Sequence, residues 1–100
     1  MDVIERGKLE DAIDKLLDSG LPMPMIRGHI DLTNLDPDSE ILTVMGKIWF
    51  WSHLLGLLAG ARGHDPERPA YTEDDFNTIK RILENRHGEI AEMMEREMKK

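Results

Sequence analysis

The segment Ile41–Ala61, ILTVMGKIWFWSHLLGLLAGA, limits what this chain can fold into more than any other stretch. It holds both tryptophans, one of the two phenylalanines and five leucines, with Lys47 as its single formal charge. A run of this length either crosses a bilayer or forms the central helix of a small bundle. Lys47 and His53 inside it are costly at membrane depth, and no Lys/Arg cluster flanks it to set an orientation. The sequence therefore predicts a buried central helix and no membrane partner.

Laid out at 100° per residue, Glu40, Thr43 and Lys47 share a narrow polar sector in the first half of this helix. In the second half Phe50, Leu54, Leu57, Leu58 and Ala61 fill the same sector, leaving almost no solvent face. Small residues line another side: Gly46, His53 and Gly60 recur every seven residues, interleaved with Trp49, Gly56 and Gly63. Each glycine inside a helix costs about 1 kcal/mol relative to alanine, so the stripe is expected to accept a close helix–helix contact. Gly46, Trp49, His53, Leu54, Gly56, Leu57 and Gly60 are thus the candidate interface, and a second copy of the chain is the expected cover, making a homo-oligomer.

The flanking sequence is polar enough to surround this core. Leu9, Ala12, Ile13, Leu16 and Leu17 place an apolar stripe on a helix over 8–18, ending at Ser19-Gly20. Residues 21–35 carry Pro22, Pro24 and Gly28 among many apolar side chains, predicting an ordered apolar crossover with no regular helix before Ile26. Asp36-Pro37-Asp38-Ser39-Glu40 reads as a helix start, with Asp36 capping and Pro37 at the first helical position, so the central helix is expected over 37–62. Gly63–Tyr71 reads as a loop, and Arg62 at its start, Arg68 and His64-Asp65 are expected to be solvated. Thr72 then caps a long helix over 73–99 with the stripe Phe76, Ile79, Leu83, Ile90, Met93 and Met94, and Ile82 and Met98 at its margins. The fold expected is all-α, one helical domain over residues 1–100, with three main helices.

Charge narrows the functional classes. A net charge of −7, with 33% charged residues, argues against binding a nucleic-acid backbone, which needs a clustered basic face. The chain has no cysteine, which removes thiolate catalysis and Cys-based metal sites and suits the cytoplasm. Acidic residues stand where an export signal would be basic, so none is expected. No nucleophile–base grouping or phosphate loop is present, so an enzyme is not expected and no cofactor is implied.

Two polar groupings are candidates for ligand chemistry. Glu84-x-x-His87 has the spacing by which ferritin-like bundles present a carboxylate and an imidazole from one helix face, with Glu10 or Glu40 as the available second carboxylate. Arg27-Gly28-His29 interrupts the apolar crossover and joins two anion-binding side chains through a permissive glycine; Lys47 is the third candidate anion contact. The run Ile26–Thr33, IRGHIDLT, followed by a helix at Glu40-Ile41, resembles the opening of phage cyclic-nucleotide sponges, small all-helical oligomers that sequester signalling nucleotides. It has His29 in place of a tyrosine, extra residues before the helix, and no likeness in the third helix. That resemblance implies capture of a small anionic ligand. The leading expectation is a non-enzymatic adaptor, inhibitor or assembly subunit that acts through protein–protein binding and self-associates through its central helix. Capture of a small anion such as a nucleotide is the alternative, and a metal-binding bundle the third reading.

Overall fold

The structure, a computed structural model, describes residues 1–19, 23–33, 38–63 and 71–99. The described residues are all-helical, in five helices: α1 (Val3–Ser19), α2 (Met23–Thr33), α3 (Ser39–Arg62), α4 (Glu73–Asn85) and α5 (His87–Met98). Three helices were expected. The two additional ones have separate local causes.

The first is α2. Pro24 falls in its first turn, where an amide donor has no intrahelical acceptor, so proline is tolerated there and the helix starts at Met23, ahead of Ile26. The second comes from a break in the long C-terminal helix at Arg86, whose φ of −102° and ψ of 13° leave helical geometry. Arg86 lies on the stripe that otherwise runs from Ile79 to Met94. Its guanidinium leaves the helix axis to meet Asp14 of α1 and Glu89. The backbone bonds pass through the break nonetheless, with Arg86 N–H donating to the carbonyls of Ile82 and Leu83, and Ile90 N–H donating to that of Arg86.

Helix α1 is longer than its apolar stripe. Asp2 and Glu5 exchange bonds across the first turn, Glu5 N–H to Asp2 Oδ1 at 2.7 Å and Asp2 N to Glu5 Oε1 at 3.3 Å. This reciprocal cap carries the helix through Gly7 and leaves Val3 and Ile4 exposed. Helix α3 is capped by Asp38, whose carboxylate accepts from Ile41 N–H at 2.9 Å. The cap expected at Asp36 with Pro37 behind it lies outside the described residues, as do Gly20, Pro22, His64, Asp65 and Arg68. Gly63 ends α3 with φ of +74°, a left-handed conformation that glycine adopts without strain. Thr72 caps α4 as expected, and Asp75 completes the capping box.

Helix α3, about 36 Å long at 1.5 Å per residue, is the axis of the bundle. It packs most extensively on α5 and also on α1 and α4. Leu42, Phe50, Leu54 and Leu58 form its inward ridge and meet Leu9 and Ile13, Ile79 and Ile82, and Ile90, Met93 and Met94, all buried. Burying a side chain of this size contributes about 1.5–3 kcal/mol. Gly46 marks the closest approach of α3 to α5. A Cβ there would stand 3.1 Å from both Ile90 Cγ2 and Met94 Sδ. Helix α2 lies at the margin, with Ile26 its buried side chain.

Candidate functional site: the outward face of the central helix

The side of α3 turned away from the core is as apolar as the side turned toward it. Ile41, Val44, Ile48, Trp51 and Leu55 follow one another at alternating steps of three and four residues. This is the spacing that keeps side chains on a single narrow seam. Ile41 is 42% exposed, Val44 45% and Ile48 60%. Trp51 is half-buried and stacks on Phe76 of α4, centroids 5.8 Å apart with 16° between planes. Tyr71 packs beside that pair and donates its hydroxyl hydrogen to the Leu55 carbonyl at 2.8 Å. The lower end of the seam is therefore held rigid by aromatic rings, and its upper end stands open.

A groove runs along each side of the seam. The one between α2 and α3, about 390 Å³, is lined by Met25, Ile26, Met45, Ile48 and Trp49, with His29 and Ser52 as its polar points. The Trp49 indole N–H reaches Met25 Sδ at 3.4 Å, which ties α2 to α3 across the floor. The groove between α3 and α4, about 210 Å³, is lined by Val44, Ile48, Trp51 and Leu83 and rimmed by Lys47, Lys80 and Glu84. Ile48 borders both grooves. It is the crest of the surface.

The seven residues expected at an interface do not share one face. Leu54 is fully buried in the chain's own core and Gly46 sits under Ile90 and Met94. These two serve internal packing, because the inward ridge of α3 runs through them. Trp49 and His53 stack on each other, centroids 5.0 Å apart and nearly parallel at 11°. His53 and Leu57 line a third groove, about 550 Å³, between α1 and the second half of α3. Gly56 and Gly60 have nothing within 4 Å of where a Cβ would be. Within the chain only Gly46, of these three helical glycines, is required by a close neighbour.

The anion candidates are dispersed. Arg27 donates to the backbone carbonyl of Glu97 at the end of α5, Lys47 pairs with Glu84 at 3.3 Å, and His29 lines the α2–α3 groove. Among the described residues the three thus stand in separate surroundings. The metal candidates fare similarly. The break at Arg86 falls between Glu84 and His87, Glu84 is engaged by Lys47, and among the described residues no group of three His, Asp or Glu is placed to hold an ion.

Sequence reasoning missed the charged joint at the opposite end of α3. Arg62, expected to be solvated, belongs to the last turn of α3. It makes a two-pronged pair with Asp75, Nη1 to Oδ2 at 2.7 Å and Nη2 to Oδ1 at 2.8 Å, and reaches Glu5 of α1 at 2.7 Å. Asp75 is only 1% exposed. The Arg62 guanidinium, helped by the Thr72 backbone and hydroxyl, holds its carboxyl well below the usual carboxylate range against the opposing effect of burial. Arg62 lowers Glu5 in the same direction. The signal was available: Thr72-x-x-Asp75 is a capping-box spacing, and a basic residue ending one helix just before an acidic helix start invites a pair. A second joint, Arg86 with Asp14 and Glu89, ties α5 to α1. By length and composition, Glu40–Arg62 of α3 is apolar enough to cross a membrane, with a mean hydropathy of 1.4, and only 33% of its most apolar window is buried, less than the buried central helix expected from the sequence.

No protein-family model matches the chain, and comparison with curated proteins and with solved structures finds no match.

Proposed function

We propose that this is a non-enzymatic, cytoplasmic binding protein that self-associates through its central helix and acts by engaging other proteins, as an adaptor, inhibitor or assembly subunit. The observation that carries this reading is the apolar outward face of α3, on which Ile41, Val44 and Ile48 stand 42–60% exposed. Apolar surface grouped in this way, as opposed to scattered single side chains, marks a site of association. The charged side chains described above are committed to joints between helices, which suits a scaffold more than a reaction centre. Small-anion capture is a weaker reading, because Arg27 and Lys47 have separate partners and His29 lines the α2–α3 groove. Light scattering on the purified chain over a micromolar concentration range is the test. A mass above that of one chain is expected, and a monomer throughout removes the reading.

A further inference from the structure

We infer that the partner seated on the outward face of α3 is α3 of a second copy, the two helices pairing along Ile41, Val44, Ile48 and Trp51. This rests on the self-association reading and names its surface. Alternating three- and four-residue spacing produces a seam one side chain wide, and such a seam is complementary to another helix bearing the same spacing. A lipid surface is met instead by a broad apolar sector rimmed with many basic residues; here the rim carries Lys47, tied to Glu84, and Lys80.

Charge points the same way. The chain carries a net charge of −7, so two copies repel unless they meet where that charge is absent. Between Glu40 and Arg62 the only formal charge is Lys47, and Glu84 answers it. The seam thus presents uncharged side chains on an acidic molecule, with Lys80 at the groove rim. A basic partner would find no countercharge along it and would settle on the carboxylates of α1 and α5. The shape is also self-complementary, because the Ile48 crest stands between two grooves able to receive a crest.

The area suffices. Met25, Ile41, Val44, Ile48 and Phe76 are 37–65% exposed. At on the order of 200 Å² per large side chain they offer about 500 Å². The half-buried Met45, Trp49, Trp51 and Leu55 extend this toward the ~800 Å² per partner of a standard stable interface.

The absence of cysteine makes the test specific. Val44→Cys and Ile48→Cys, introduced singly and oxidised at low micromolar concentration, are expected to form covalent dimers at least fivefold faster than Leu57→Cys in the α1–α3 groove or Ile4→Cys on α1. Ile48→Asp is expected to weaken dimerisation at least tenfold with an unchanged circular-dichroism spectrum. A wild-type oligomer that cross-links through Leu57→Cys and not through the seam, or that Ile48→Asp leaves intact, overturns the assignment of the surface and leaves self-association standing. A wild-type monomer at every concentration removes both. So does a monomer that floats with phosphatidylglycerol vesicles and loses flotation on Ile48→Asp.

Discussion

The two long sides of α3 are built from the same kinds of residue and meet opposite fates. Leu42, Phe50, Leu54 and Leu58 are buried, whereas Ile41, Val44 and Ile48, one turn or less away, stand in solvent. Hydrophobicity alone does not say which side faces inward. The difference lies in the neighbours: α1, α4 and α5 each bring one apolar stripe, and three stripes cover only part of a helix that is apolar all round. Gly46 marks the inward side, because its missing side chain leaves room for Ile90 and Met94 of α5. A helix of this composition therefore has a core side fixed by its own chain and a second side left for something else.

The comparison is broken most sharply by trimming one side chain on each side. Phe50→Ala should cost about 3–5 kcal/mol in urea unfolding. Ile48→Ala, measured below the concentration at which copies associate, should change stability by no more than about 0.5 kcal/mol. Equal losses would mean that the outward side is covered within the chain.

The next largest effect is expected where α3 meets α4 through charge. Asp75→Asn removes the negative charge and one of the two acceptor oxygens that serve Arg62 and the Thr72 amide. It should cost about 2–4 kcal/mol, below the upper range for fully buried pairs because Arg62 is partly solvated. Since the folded state lowers the Asp75 and Glu5 carboxyls, their contribution is present above the unfolded carboxylate range near pH 4 and disappears as pH falls below it. A wild-type melting temperature that declines on acidification from pH 5, with a shallower decline in Asp75→Asn, is the expected result. Parallel declines would assign acid sensitivity elsewhere.

The glycines sharpen the same contrast at smaller scale. Gly46→Val forces new atoms into Ile90 and Met94 and should cost about 2 kcal/mol by overpacking. Gly56→Ala meets open space in a helix interior and should gain up to about 1 kcal/mol. Thermal unfolding of the two variants should shift in opposite directions. A loss at Gly56 would place a second chain or another segment against it.

These contrasts also show what could be read from residue order. The stripes of α1 and α4–α5 were legible from Leu9, Ile13, Leu16, Ile79, Ile90, Met93 and Met94, because helical periodicity reports burial directly when one face alone is apolar. On α3 that logic gives no answer, since the second half is apolar all round and the polar sector of the first half includes Thr43, which is buried. The glycine stripe was accordingly read as one surface, although Gly46 serves the core and Gly56 and Gly60 do not. Helix α2 was obscured by Pro24, whose effect depends on whether it falls in the first turn, and the break at Arg86 by bonds that carry the backbone across it. Arg62 was read as solvated at the helix end, so its pairing with Asp75 was not seen.

That pairing bears on where this protein can be altered. Arg62 lies at the C-terminal end of α3, Asp75 at the start of α4 and Glu5 at the start of α1, so each charge also answers the partial charge of its own helix pole. The start of α4 is thus positioned by an ion pair and two caps, not by the length of the connection leading to it. Doubling a flexible connection costs only about 0.6 kcal/mol in closure entropy. Residues inserted between Gly63 and Tyr71 should therefore leave the bundle and the seam intact, which gives the molecule a permissive port for a fluorophore, a tag or a whole grafted domain.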